Sequence, residues 1–373
     1  MKRATAQGTE AFQVDALKRG VAPEHFREVF GLKLSSLGIG TYLGDGDDET
    51  DELYRQAVAD AVRLGANVID TAINYRHQRS ERAVGRAIAD LSKQGVEREE
   101  LVVCTKGGYI PFDSAPPEDA RGYLKREFFD TGLLKAEEVQ GGHALAPRFL
   151  RHQVARSLEN LGLGTIDVYY LHNPESQLAA LDRKTFLGKL RAAFECLEEM
   201  AAEGLVSFYG TATWNGYRRQ PAARDFLSLN EVADLARDVA GEDHRFRFVQ
   251  LPYNLAMTEA FTETNQPTGN GRLSLCQAAS SLGFAVMASA SIAQGQLQSG
   301  LPDWLGTLFR GLKTDAQRAI QFVRSTPGVT TALVGMKTAA HVRENLEAAR
   351  LAPAPIEDFL KLFEIPPPPD AKN

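Results

Sequence analysis

The chain is short of the features that mark disulfide-stapled, membrane-spanning or nucleic-acid-binding proteins. It has three cysteines in 373 residues, Cys104, Cys196 and Cys276. They are too widely spaced for a disulfide framework or a metal-ligand pattern, so no metal is expected, and a reducing cytoplasm fits best. No apolar run reaches membrane length. The opening Met-Lys-Arg-Ala-Thr-Ala-Gln has no apolar core behind its charges and does not read as a secretory signal. Basic residues are not in excess: 42 Lys and Arg stand against 48 Asp and Glu, a net charge of −6 and a pI near 5.8. That balance argues against nucleic acid as a partner, because nothing would displace the phosphate counterions. No internal repeat is visible.

What is present is an ordinary soluble composition, 43% hydrophobic and 24% charged, and a regular alternation of short apolar runs with helical patterns. Strands are expected at 36–41, 68–70, 101–106, 166–171, 206–211, 246–251, 284–288 and 331–334. Helices are expected at 51–64, 80–91 (with Ser80 as N-cap), 148–160, 186–202, 226–240, 273–282, 314–325 and 339–349. Eight strand–helix pairs of this length predict the α/β class, a (β/α)8 TIM barrel with a long insertion after the third strand. Residues 1–28 read as an N-terminal extension, 29–350 as a single barrel and 351–373 as a tail. The tail ends in Ile365-Pro-Pro-Pro-Pro369, a stiff extended segment. Residues 265–271 read as a polar turn. The insertion, about 107–147, is long for a loop in a compact domain and leaves the barrel just after Lys106, so it reads as a lid or substrate-shaping element.

Two tempting motifs fail on spacing. Gly38, Gly40 and Gly44 give G-x-G-x-x-x-G, one residue too long for a dinucleotide-binding turn. Asp45 to Glu52 lacks the calcium-loop spacing and reads as a turn into a helix whose first turn is acidic.

Three of the apolar runs close on an ionisable residue. Val68-Ile-Asp-Thr-Ala-Ile-Asn-Tyr75 places Asp70 at a strand end and Tyr75 in the loop beyond. Leu101 to Lys106 ends in a lysine and Ile166 to His172 in a histidine. The carboxyl ends of barrel strands are where chemistry collects. Singly, each residue has a bland reading: a solvated lysine, a structural histidine, a packing tyrosine. Together, on three successive strand ends, they resemble the catalytic tetrad of the aldo-keto reductases. Leu37-Gly-Ile-Gly-Thr41, Ser80-Glu81 with Gly85, Tyr170-Leu-His-Asn173, Gln250 in a Val-Gln-Leu strand, and Glu344-Asn345 extend the resemblance over about 31–349.

The resemblance implies an NAD(P)H-dependent oxidoreductase that interconverts a carbonyl (aldehyde, ketone or sugar) and an alcohol. Tyr75 would be the general acid/base. A free phenol has a pKa of about 10, and Lys106 would lower it, with Asp70 holding Lys106 and His172 orienting the substrate oxygen. The cofactor would meet Gly40, Thr41, Tyr42 and Asp70, then Thr213, Gln250 and Ser289. Farther along it would meet Gln294 and Gly295 at the pyrophosphate, and Gly335, Lys337, Thr338, His341, Glu344 and Asn345 at the adenosine. The chain departs from the family pattern at Ala212, where a serine is usual, at Ser289, where an aromatic usually stacks on nicotinamide, and at His341, often arginine. Lys337 could meet a 2′-phosphate, so NADP(H) is favoured and NAD(H) stays open. The alternative is a cofactor-binding regulatory protein of the same fold with little or no turnover. A barrel isomerase or hydrolase using His172 and Asp70 fits Tyr75 and Lys106 less well. The expected partner is a small carbonyl or alcohol, with neither nucleic acid nor membrane; a homo-oligomer stays open.

Overall fold

The computed structural model describes residues 2–363; the expected proline segment 365–369 lies outside them. Helix α1 (Ala6–Lys18) is capped by Thr5, whose side chain accepts from the Gly8 amide. Next comes the antiparallel hairpin β1 (Phe26–Val29) and β2 (Leu32–Ser35). Eight strands then close a parallel barrel: β3 (Leu37–Gly40), β4 (Val68–Asp70), β5 (Val102–Gly107), β6 (Ile166–His172), β7 (Val206–Ala212), β8 (Phe246–Pro252), β9 (Ala285–Ser289) and β10 (Val329–Gly335). The ring closes as β9-β10-β3-β4-β5-β6-β7-β8. Outside it lie α2 (Asp48–Arg63), α3 (Arg79–Lys93), α4 (Pro147–Leu161), α5 (Arg183–Ala202), α6 (Leu229–Ala240), α7 (Leu275–Leu282), α8 (Asp315–Ser325) and α9 (Ala339–Leu346).

The interior of the barrel is filled, not hollow. Val68, Val102, Val168, Tyr170, Phe248 and Met287 pack there with almost no exposure, as inward positions of a small barrel require. The hairpin closes the amino-terminal end: Phe30 at its tip packs on Phe208 and Phe248, with ring centroids 5.4 and 5.5 Å apart. On the outside, α3 buries Ala83, Val84, Ala87, Ile88 and Leu91, the stripe that a 3.6-residue period puts on one face. Gly85 on that helix lets α4 come close, since a Cβ there would sit 2.7 Å from the Asn160 carbonyl oxygen.

Several local expectations differ from the structure. Ser80 is not the cap of α3; Gln78, in a left-handed conformation, holds that position, and the Ser80 hydroxyl donates instead to the Thr41 carbonyl at 2.8 Å. Residues 265–271 are not a plain turn. Gln266–Thr268 and Gly271–Leu273 pair as a small hairpin, so α7 starts at Leu275 behind a Ser274–Gln277 capping box. The acidic run does enter a helix, with Asp47 accepting from the Thr50 amide and Asp48, Glu49 and Asp51 in the first turn. Among the described residues no helix is long and apolar enough to cross a membrane, and no cluster of three His, Cys, Asp or Glu could hold a metal ion.

Candidate active site

Three neighbouring strands bring Asp70, Lys106 and His172 to one rim. Asp70 is the last residue of β4, Lys106 the penultimate residue of β5 and His172 the last of β6. The Lys106 Nζ, fully buried, donates to Asp70 Oδ2 at 2.6 Å and to the Thr71 carbonyl at 2.8 Å. Tyr75 lies above it, with the ammonium 4.7 Å from the ring centroid. The Tyr75 ring meets His172 edge to face at 5.8 Å and Tyr42 at 4.9 Å. The four residues singled out by their strand ends therefore share one site.

Tyr75 is followed by three non-glycine residues in the left-handed region, Arg76, His77 and Gln78, at φ 47°, 58° and 71°. Each costs about 1 kcal/mol or more. Two clamps hold the turn. The buried Arg76 guanidinium donates to the Asp45 and Asp47 carbonyls and to Asp51 Oδ1 at 2.7, 3.1 and 2.6 Å. Gln78 Nε2 donates to the Phe112 carbonyl at 3.0 Å.

Burial dominates the electrostatics. It drives the Tyr75 hydroxyl above its ordinary value, and the opposing pull of Lys106 does not overcome it. The lowered phenol expected from the sequence is thus absent in the site as it stands. Burial also works against the charge on Lys106, but the Asp70 carboxylate and Tyr75 outweigh it, so the ammonium is held charged. His172 is pushed well below its usual value by burial and then by Lys106, and is neutral; its Nδ1 is buried without a hydrogen-bond partner among the described residues.

The site opens into a cavity of about 720 Å3. Of the residues expected at a cofactor, Gly40, Thr41, Tyr42, Asp70, Thr213, Gln250, Ser289, Gln294, Gly295, Gly335, Lys337 and His341 line it. Thr338, Glu344 and Asn345 do not line it: Thr338 caps α9 by accepting from the His341 amide, the Glu344 carbonyl accepts from Gln317 Nε2, and Asn345 is buried. Gln250 Nε2 donates to Asp70 Oδ1 at 2.8 Å, so this amide braces the carboxylate. Thr213 is 3% exposed and its hydroxyl has no partner among the described residues. Lys337 reaches the loop after β3; a Cβ on Gly44 would lie 3.7 Å from its Nζ.

Sequence reasoning missed Asn74, Tyr109, Asn173 and the Ala290–Ile292 turn in the cavity wall. It also missed Glu175. The Glu175 Oε1 accepts from the amides of Trp214, Asn215 and Gly216 at 2.8, 3.1 and 3.3 Å, shaping the loop that carries Thr213. Burial raises the pKa of this carboxyl. No spacing rule flags a carboxylate that binds backbone amides 40 residues away. The insertion does not cover the cavity as a whole. Only Tyr109 from its neck reaches the lining; Phe128, Leu134, Ala144 and Ala146 form a separate small core with Phe149 of α4.

Comparison with known proteins adds sequence evidence. The model of the Aldo/keto reductase family matches residues 36–301. The chain is 31% identical over 206 residues to an NADH-specific methylglyoxal reductase of Escherichia coli K12, covering 54% of each protein. It is 25% identical over 215 residues to a putative voltage-gated potassium channel subunit beta of Schizosaccharomyces pombe, covering 57% of this chain and 52% of that one. These matches span about half the length of the curated relatives. An aldo/keto reductase of Klebsiella pneumoniae, solved with NADP and acetate, shares the fold at a TM-score of 0.61 and 21% identity, over 94% of this chain and 98% of that one. The holo form of an aldo-keto reductase of Bacillus halodurans gives 0.59 at 18% identity, over 91% and 96%.

Proposed function

The chain belongs to the aldo/keto reductase family, and on that premise we propose that it is an oxidoreductase that interconverts a carbonyl compound and its alcohol with a nicotinamide cofactor. The observation that carries this reading is the fully buried Lys106 ammonium, bonded to Asp70 and set 4.7 Å from the Tyr75 ring. A buried ion pair is costly to assemble. Beside a phenol it has a use: it stabilises the phenolate left when that phenol gives up a proton.

The wall suits a nicotinamide carboxamide, because the buried Thr213 hydroxyl lacks a partner and stands with Gln250 in the cavity lining. When bound, the cofactor supplies the hydride that no side chain can. Neutral His172 retains one ring N–H to direct the carbonyl oxygen. Tyr75, kept protonated by burial, gives that oxygen its proton, and Lys106 holds the resulting phenolate. In the oxidative direction the same groups act in reverse. Tyr42, Tyr109 and Trp214 add aromatic surface to the cavity wall.

NADP(H) is the favoured cofactor, because Lys337 stands in the cavity wall where a 2′-phosphate could be met; the Klebsiella structure holds NADP. NAD(H) is the alternative: His341 is a weaker phosphate ligand than arginine, and the Escherichia coli relative is NADH-specific. A second reading, cofactor binding with negligible turnover, is favoured by Ala212 and Ser289 where the family carries gripping and stacking groups. The deciding experiment is a fluorescence titration with NADPH and NADH in parallel, followed by turnover on aldehydes and ketones including methylglyoxal. Binding with turnover supports the enzyme, binding alone the second reading, and no binding of either nucleotide rejects both.

A further inference from the structure

The insertion leaves β5 at Gly107 and rejoins the barrel wall at α4, and its two ends meet at the rim. Tyr109 and His143 form an isolated antiparallel bridge. The Ala144 amide donates to the Gly108 carbonyl at 2.8 Å and the Ile110 amide to the Gly142 carbonyl at 2.9 Å. This neck touches His172 twice. The ring of His143, fully buried, brings Nε2 to 2.8 Å from the His172 main-chain carbonyl oxygen. Tyr109 lies between the two imidazoles, edge to face with His143 at 5.0 Å and with His172 at 5.2 Å.

The His172 carbonyl needs such a partner. Strand β5 is last in register opposite Leu171, and the chain turns away at Gly108, whose φ is +125°. On the other side, Asn173 turns left-handed at φ 48°. The sheet therefore ends at this carbonyl, and a buried carbonyl left unbonded is destabilising. The tautomer of His143 follows from its neighbours. An acceptor faces Nε2, which must carry the proton, and Gln177 Nε2 stands 3.1 Å from Nδ1 as a donor. The same Gln177 amide lies 3.3 Å from the His143 carbonyl. Gly108 is required at the neck, because a Cβ there would fall 2.5 Å from His143 Nε2.

We propose that the neck of the insertion positions His172: His143 fixes its main-chain carbonyl at the strand end, and Tyr109 fixes the direction of its ring. The rest of the insertion is the frame that brings these two residues together. His143 is a positioning residue and touches no reacting atom. The inference rests on His172 acting on the substrate oxygen, as proposed above. An ångström-scale misplacement of such a group costs up to about a hundredfold in rate.

The test compares His143→Phe, which keeps a ring against Tyr109 but removes the N–H, with His143→Gln, which restores an amide donor. Two readouts are taken, with thermal melting as the check on folding: the 15N resonances of the His172 imidazole in the protein without nucleotide, and steady-state kinetics with NADPH and methylglyoxal. In His143→Phe the His172 resonances are expected to move, and kcat to fall roughly tenfold to a hundredfold, with the KM for NADPH within about twofold of wild type. His143→Gln is expected to recover most of both. If His143→Phe does not fold, His143→Ala, which removes the N–H without adding bulk, is read in its place, and unmoved His172 resonances in a folded His143→Ala would reject the proposal. So would a folded His143→Phe with unmoved resonances or undiminished kcat. A wild-type protein without turnover would reject the reductase reading alone, and the resonances would still decide the role of His143.

Discussion

Replacing Lys106 by methionine removes the ammonium beside Tyr75 while keeping most of the side-chain volume. Nζ lies 4.7 Å from the Tyr75 ring centroid. At an effective dielectric constant of about 20, unit charges at that separation interact by about 3.5 kcal/mol. On the proposed mechanism this energy is realised when the phenolate forms, so it acts on the barrier and not on ground-state binding. At 1.36 kcal/mol per factor of ten it corresponds to between two and three orders of magnitude in kcat. The single variant also strands the Asp70 carboxylate, 2.6 Å from the lost ammonium; breaking a buried pair this way costs about 3–5 kcal/mol of stability. Lys106→Met is therefore made together with Asp70→Asn, which removes the unpaired charge and keeps an oxygen for Gln250 Nε2. The double variant should regain most of the melting temperature and none of the rate. The assay is kcat under saturating NADPH and methylglyoxal, with nucleotide affinity measured separately. A well-folded double variant within tenfold of wild-type kcat would refute the argument that Lys106 acts through its charge.

Thr213→Val removes a buried hydroxyl that has no internal partner, so melting should hardly change while nucleotide Kd rises roughly fivefold, about 1 kcal/mol, by fluorescence titration. Glu175→Ala frees the three amides of 214–216; melting should drop by about 1–3 kcal/mol equivalent and nucleotide binding weaken, whereas Glu175→Gln keeps an acceptor and should be milder. The pH profile follows from two shifts of known sign. Tyr75 is raised above 10.0 and must be protonated to donate, so reduction should stay level up to pH 9 and fall only above the ordinary phenol range. His172 is lowered below 6.5 and stays neutral, so kcat should show no inflection at pH 6–7; one there would mean that His172 titrates. Gly108→Ala forces a Cβ against His143 at a positive φ, and both stability and kcat should fall.

Much of the barrel was legible because strands buried on both faces leave short apolar runs, and the helices between them carry a 3.6-residue stripe. Asp70, Lys106 and His172 stood out because ionisable residues close three successive runs, although each alone has a bland reading. What stayed hidden depends on contacts distant in sequence. Gln78 replaces Ser80 as the α3 cap because Arg76 and Gln78 are tied to residues 45–51 and 112, and no local pattern announces a left-handed run without glycine. The small hairpin at 266–273 is stabilised partly by Gln266 side-chain bonds to Leu229 and Tyr217. The pull of Lys106 on Tyr75 has the expected sign, but the larger effect of burial was hidden, because proximity to a cation is visible in a motif whereas the depth of burial is not.

The most direct test of the account is the rate of NADPH oxidation with methylglyoxal by Tyr75→Phe, measured beside wild type at nucleotide concentrations saturating for each. The account predicts that the variant binds NADPH with unchanged affinity and loses nearly all turnover, because the ring remains and only the transferable proton is gone. Turnover by Tyr75→Phe within a few fold of wild type would contradict it and move the proton donor to another residue.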